Sequence, residues 1–206
     1  PVPAGPAFFA WERWAAAIGL TLALWLAALP WLPGPAPDLV GDGGFDLAPS
    51  SSPWRPGVPQ AWTLMRDTSG YSVWAVAAGI PLSQTVPARP LLPVHVSFRL
   101  KGKMLPNTPG QAGAAVRLVM LNEKGEEVDH HAFPFVIRGE WESHSCLAWL
   151  STGTRQVSVE LIRWASDGPV GFDDVHIINL ASAAAARMKW SAPIAMILLA
   201  GIWLAL

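Results

Sequence analysis

The chain has 206 residues, a formal net charge of −1 and a single cysteine, Cys146. The near-neutral charge without a basic tract argues against a nucleic-acid partner, and one cysteine excludes an intramolecular disulfide bond. Apolar residues are concentrated at the two ends of the chain, so the average composition describes neither the ends nor the middle.

The first predicted element is a transmembrane helix. Residues 14–32 contain no charged side chain, and a run of this length spans a hydrocarbon core of about 30 Å at about 1.5 Å per residue. A cleaved signal peptide would have a shorter apolar stretch, of about 7 to 15 residues. We therefore predict a retained N-terminal anchor over residues 1–33, followed by a stiff Pro-rich linker over residues 34–39.

The middle of the chain, residues 40–180, is predicted to be a jelly-roll β-sandwich. It consists of short apolar segments divided by Gly, Pro, Asn and Asp, with almost no helical period. Alternation of apolar and polar residues is clearest over 94–100 and 157–162, which is typical of strands with one buried face. Eight segments of this kind imply two packed sheets. They cover residues 61–66, 71–78, 94–101, 114–121, 127–137, 145–150, 155–164 and 170–180.

Two further segments of this domain are predicted to lie outside the strands. Residues 122–127, Asn-Glu-Lys-Gly-Glu-Glu, have the composition of a hairpin turn. Four prolines, at positions 81, 87, 90 and 93, argue against a central strand from Leu82 to Pro93, because proline cannot donate a ladder hydrogen bond.

The last element is a second predicted transmembrane helix, placed at residues 181–206. An Ala-rich stretch leads into a charge-free run from Trp190 to Leu206, slightly shorter than the roughly 20 residues of a comfortable span. The two helices predict a protein of the inner (cytoplasmic) membrane, with lipid and other integral membrane subunits as partners. The sandwich is then extracytoplasmic, on the periplasmic or extracellular side.

Four pieces of the middle domain resemble the jelly-roll carbohydrate-binding modules and the wider galactose-binding-like domains. They occur in the family's order over roughly residues 40–180, and the resemblance implies a jelly roll that binds a glycan. The pieces are Gly43-Gly44-Phe45-Asp46, Ser97-Phe98-Arg99-Leu100-Lys101-Gly102, Gly139-Glu140-Trp141 and Phe172-Asp173-Asp174-Val175.

The same resemblance implies a structural calcium ion (Ca²⁺) that joins the first strand of the domain to the last. Asp46 and Asp173 are the ligands it implies, with Asp42 as a helper, although the family more commonly has Glu where Asp46 stands. Calcium takes six to eight oxygen ligands at about 2.3–2.6 Å, which carboxylates supply. The other interpretation of Asp173 and Asp174 is that they cap a strand or form a turn.

Tryptophan is abundant in the middle domain, where it can serve as core or as a binding surface. We predict that Trp54, Trp62 and Trp74 lie on the surface, where they contact a protein partner or a glycan. Trp149 and Trp164 lie on apolar segments and are predicted to fill the core.

No catalytic set is recognised in the sequence, so the protein is predicted not to be an enzyme. Glu140 and Glu142 have the spacing of a retaining glycosidase pair, but nothing else marks a cleft. We predict a non-catalytic accessory or scaffold subunit of a larger membrane complex, with its helices packed in the bilayer and its sandwich on the external face. The alternatives are a membrane-tethered carbohydrate-binding module and a fragment of a membrane sensor or enzyme.

Overall fold

A computed structural model of the chain divides it into two compact units. One is Asp38–Leu180, and the other combines Pro1–Pro37 with Ala181–Leu206. The structure describes residues 15, 18–23, 25–26, 38–48, 50–67, 70–90, 92–103, 112–166 and 168–188.

Helical backbone occurs in the described parts of both terminal segments. Residues 18–23 and 25–26 are helical, and a helix covers residues 180–188. No helix that the described residues form is both long and apolar enough to cross a membrane. The predicted membrane run 190–206 and much of 14–32 lie outside the described residues, so both membrane helices stay predictions.

The unit Asp38–Leu180 is a sandwich of two antiparallel five-stranded sheets, which confirms the mainly β prediction. The first sheet has the order β1-β4-β9-β6-β7 and the second the order β2-β3-β10-β5-β8. The strands are β1 (Arg55–Pro56), β2 (Trp62–Asp67), β3 (Gly70–Ala75), β4 (Leu82–Pro87), β5 (Pro93–Gly102), β6 (Ala114–Leu121), β7 (Glu127–Phe135), β8 (Glu142–Trp149), β9 (Gln156–Arg163) and β10 (Val170–Asn179).

The core lies between the two sheets and follows from the alternation along each strand. In β5, Val94, Val96, Phe98 and Leu100 are buried, while the residues between them are half-exposed on the other face. Each fully buried side chain of this size contributes about 1.5–3 kcal/mol relative to an exposed one. Period-two patterning therefore determines which face of each strand packs inward.

The strand β4 was excluded by the sequence analysis, and that prediction is wrong. β4 pairs with β9 along its whole length and with the two residues of β1 on its other side. The prolines stand only at its borders, because Pro81 precedes the strand and Pro87 is its last residue. The residues between them all keep their N–H groups, so the ladder is intact.

The chain segment before β1 packs against β10. The N–H of Val175 donates to the carbonyl oxygen of Gly43 at 3.0 Å, and the N–H of Leu39 donates to that of Ile177 at 2.8 Å. β10 carries a bulge after Asp173, where Asp174 has a φ of 48°. Two of the four family-like pieces, near the start and the end of the domain, thus meet at this bulge.

Candidate functional site

The candidate site is the outward-facing side of the second sheet, which we call the outer face. Because side chains alternate along a strand, each strand that sends apolar residues to the core sends a second set outward. The outer face carries Trp74 from β3, Gly171 and Asp173 from β10, Arg99 from β5 and Ser145 from β8.

Two tryptophans meet on this face. The indole of Trp141, just before β8, lies edge to face against that of Trp74, with the ring centroids 5.9 Å apart and the planes at 68°. The indole N–H of Trp74 donates to the hydroxyl of Ser72 at 3.0 Å, which orients the ring. Both tryptophans are partly exposed. We call Trp74 and Trp141 the tryptophan platform.

Gly171 of β10 is the floor of the tryptophan platform. A Cβ atom at this position would lie 2.8 Å from the Trp74 ring and 3.0 Å from the Trp141 ring. Such distances are too short for carbon atoms in contact, which sit about 3.5–4.0 Å apart. Only glycine therefore allows both indoles to rest on the β10 backbone.

Arg99 of β5 borders the platform and connects it to a charged cluster. Its guanidinium carbon lies 5.3 Å from the centroid of the Trp141 ring, within the range of a cation–π contact. The same guanidinium lies 3.4 Å from the carboxylates of Asp173 and Asp174. Nearby, Lys101 pairs with Glu140 at 3.8 Å. The charges beside the platform are thus paired with opposite charges.

Beyond the platform the outer face is polar and ends at another tryptophan. Ser97 of β5 lies opposite Ser145 of β8 and His176 of β10 in register. Partial burial lowers the pKa of His95, the next outward residue of β5. Trp149 at the end of β8 is 63% exposed. The alternation of side chains along the strand places Trp149 on the same side of the sheet as Trp141. It lies roughly 26 Å further along the chain direction, at about 3.3 Å per residue.

Trp54 and Trp62, predicted to lie on the surface, are buried in the core, with exposures of 4% and 9%. The indole N–H of Trp54 donates to the backbone carbonyl of Asp42 at 3.0 Å, and its ring packs on Phe45. Trp62 packs against Phe172 of β10. The surface prediction is wrong because the Pro-rich segment that carries Trp54 folds into the sandwich, and β2 turns Trp62 inward.

The exposure predicted for the other three tryptophans is right for Trp74 and wrong for Trp149 and Trp164. Trp74 is partly exposed, as predicted, and its role in binding stays a prediction. Trp149 and Trp164 are 63% and 45% exposed, so their assignment to the core is wrong. β8 is an edge strand that turns Trp149 outward, and Trp164 lies just beyond the end of β9. Sequence reasoning missed Trp141 as a site residue, although it ends the family-like piece Gly139-Glu140-Trp141.

Asp42 and Asp173, which the resemblance implies as calcium ligands, have other partners. The Asp42 carboxylate accepts hydrogen bonds from the Leu47 N–H at 3.0 Å and the Ser52 hydroxyl at 2.6 Å, and Asp46 is exposed. Asp173 accepts from the N–H of Asp174 and faces Arg99.

The described residues contain no group of three or more His, Cys, Asp or Glu side chains that could hold a metal ion. A guanidinium already supplies positive charge beside Asp173. Calcium binding stays a prediction, and the thermal midpoint with and without a chelator tests it, since a ligand specific for the folded state raises that midpoint.

No protein-family model matches the sequence, and no curated protein matches it. Solved structures share the fold. The enzymatically active domain of tailspike protein 4 from bacteriophage CBA120 has a TM-score of 0.55 and 12% identity, covering 69% of this chain and 21% of that one. The CBM22-1-GH10 modules of the endo-1,4-β-D-xylanase 10B of Clostridium thermocellum, solved with xylohexaose, have a TM-score of 0.52 and 15% identity, covering 71% and 29%.

A smaller structure is similar over nearly its whole length. The CBM22-1 xylan-binding domain of Paenibacillus barcinonensis Xyn10C has a TM-score of 0.49 and 11% identity, covering 72% of this chain and 98% of that one. This chain spans about a fifth of the tailspike domain and less than a third of the xylanase modules. At these identities the likeness concerns the fold alone, a jelly-roll β-sandwich.

Proposed function

We propose that the sandwich binds a neutral glycan on the outer face of the second sheet. The observation that carries the proposal is the tryptophan platform, in which Trp74 and Trp141 are held together over Gly171 and remain partly exposed. Sugar rings present apolar C–H faces, which pack on aromatic rings, and hydroxyl groups, which need polar partners. The fold and the family-like sequence pieces support the same function.

Polar groups on the outer face supply the hydrogen bonds that sugar hydroxyls require. Ser97, Ser145 and His176 lie side by side on three neighbouring strands. Because Arg99 and Lys101 are both paired with carboxylates, neither cation is left to bind an anionic glycan, so a neutral glycan fits this face better. A chain lying from the platform towards Trp149 would contact aromatic surface at both ends and hydroxyls between them.

We also propose that the protein binds its glycan without cleaving it. The carboxylates considered for catalysis have cationic neighbours, since Glu140 pairs with Lys101 and Glu142 pairs with Arg138 at 3.2 Å. A glycosidase needs two carboxyl groups placed on either side of the bond that it cleaves. Incubation of the protein with the oligosaccharide that it binds should therefore release no shorter products.

The membrane location remains part of the proposal. It rests on the charge-free runs 14–32 and 190–206. Protease added to sealed vesicles should cut the sandwich from one side only, and cleavage from both sides would contradict two anchors around one domain. The scaffold role predicted from the sequence also stays a prediction, and co-purification of other subunits in mild detergent tests it.

Calorimetric titration of the full chain tests the proposed function, starting from a glycan array and with xylohexaose as a first soluble probe. Trp141→Ala should weaken binding by about 30-fold, because a central aromatic contact is worth about 2 kcal/mol. Trp164→Ala is the matched control, since Trp164 is exposed but lies beyond β9 of the other sheet. Equal losses in both variants, or no glycan signal in the wild type, would refute the proposal.

A further inference from the structure

A cavity opens into the sandwich between β1 and β2, away from the outer face. Its volume is about 410 Å³, within the range of small-molecule sites. Leu64 and Val73 contribute to its walls from the inward side of the second sheet, and Leu82 contributes from the first. Leu47, at the cavity's surface, is 48% exposed. The proposed glycan site does not use these side chains.

Three aromatic side chains line this cavity. They are Phe45, Trp54 and Trp62, and the rings of Phe45 and Trp54 lie 5.4 Å apart at an angle of 42°. The indole N–H of Trp62 is buried without a hydrogen-bond partner among the described residues, so this ring brings π surface and an unused hydrogen-bond donor. Aromatic rings attract cations to their faces through their quadrupoles, most strongly where water is displaced.

Asp42 lines the same cavity. Asp42 accepts hydrogen bonds from the Leu47 N–H and the Ser52 hydroxyl, but no cationic side chain of the described residues pairs with it. Its backbone is held in the left-handed region, with a φ of 55°. The loop therefore places a negative charge without a counter-ion beside aromatic walls.

We propose that this cavity binds a small organic cation, an ammonium group carried on an apolar body. The carboxylate of Asp42 supplies the opposite charge, and the aromatic walls supply cation–π contacts and apolar area. An inorganic calcium ion fits less well, because it needs six to eight oxygen ligands and the walls are mostly apolar. The site is independent of the glycan site and of that proposed function.

Two probes of the same shape test the proposal on the full wild-type chain. Choline carries a permanent ammonium charge, and 3,3-dimethylbutan-1-ol is its neutral isostere. Calorimetric titration, supported by tryptophan fluorescence, should show choline binding at least tenfold more tightly. Equal or tighter binding of the neutral alcohol would overturn the proposal, as would no binding of choline. This comparison needs no variant and so does not depend on how any variant folds.

Asp42→Asn then tests the assigned carboxylate. Asparagine tolerates a positive φ and keeps a side-chain oxygen for the Leu47 N–H, so the melting temperature should hardly change. Choline binding should weaken at least tenfold. Asp46→Asn is the matched control, since Asp46 is exposed in the same loop and does not line the cavity, and its binding should be unchanged. Unaltered binding by Asp42→Asn would exclude this site.

Trp141→Ala separates the two proposals. It removes half of the tryptophan platform and leaves the cavity walls untouched, so choline binding should stay at the wild-type level while glycan binding falls. Loss of choline binding in this variant would place the cation on the outer face and overturn the cavity site.

Discussion

Trp141 contacts Trp74 across two intervening strands, with the ring centroids 5.9 Å apart. Trp74 lies on β3 and Trp141 just before β8, and β10 and β5 separate those strands in the sheet. The Trp141 ring reaches its partner by lying over Gly171 of β10 and beside Arg99 of β5. The contact therefore forms only when four strands are correctly ordered and in register.

Gly171→Ala should disrupt this contact. The added Cβ would lie 2.8 Å from the Trp74 ring, and overpacking of this kind costs about 1–3 kcal/mol. We expect a lower free energy of unfolding, a changed near-UV circular dichroism spectrum and weaker glycan binding. In the control, Gly139→Ala, the new Cβ meets nothing within 4 Å. If both variants behave like the wild type, the indoles do not rest on Gly171.

Trp54→Ala should destabilise the sandwich far more than Trp149→Ala. Trp54 is 4% exposed and Trp149 is 63% exposed. Removing a large buried ring costs about 3–5 kcal/mol, whereas exposed substitutions usually change stability by no more than about 0.5 kcal/mol. Urea unfolding followed by far-UV circular dichroism measures both values. Similar losses in the two variants would contradict the burial described for Trp54.

The stability of the sandwich should fall on mild acidification because of His144. Its ring packs against Phe98 and Phe135, with centroids 5.8 and 5.2 Å away. Burial lowers the pKa of His144 below 6.5; Glu142 opposes this shift, and Arg138 adds to it. The folded state thus favours the neutral ring. Its stabilising contribution is complete above pH 6.5 and is lost as the pH falls towards the lowered folded pKa, because the unfolded state binds the proton first.

His144→Phe keeps an aromatic ring in the same place and removes the titration. Its unfolding free energy should depend less steeply on pH between about 7 and 5 than that of the wild type, in chemical denaturation at a series of pH values. Ser143→Ala, at the neighbouring exposed position of β8, provides the control, because it removes no titrating group, and should retain the wild-type slope. An unchanged slope in His144→Phe would show that this ring does not contribute.

Cys146 should be almost unreactive in the folded protein. Burial raises the pKa of its thiol from 9.0 to about 12, and only the thiolate attacks a disulfide reagent. At pH 8 we expect labelling by a disulfide chromogen to be slower than in denaturant by at least about a hundredfold. The chain has no second cysteine, so the readout is unambiguous. Fast labelling under native conditions would mean that the edge strand β8 opens readily.

The strands with clear period-two patterning were predictable, because side chains that alternate across a sheet produce both the sequence pattern and the burial of one face. Over 94–100, alternate apolar residues face the core, as the sequence indicated. β4 was not predicted because the number of prolines in this segment was taken as evidence against a strand. The prolines next to β4 stand only at its ends, where the strand tolerates them. The two-residue β1 has too little sequence of its own to carry a pattern.

Composition and spacing by themselves determined the class of the domain, a two-sheet antiparallel sandwich, since local alternation specifies strands and their buried faces. They did not determine which tryptophans are exposed. Trp54 was predicted to be exposed and is buried, whereas Trp149 was predicted to be buried and is exposed. The reason is that burial depends on strand order and on how loops close the ends of the sandwich. Only the tertiary structure brought Trp141 to Trp74 and Asp42 to the aromatic cavity, because these contacts join segments that no local pattern connects.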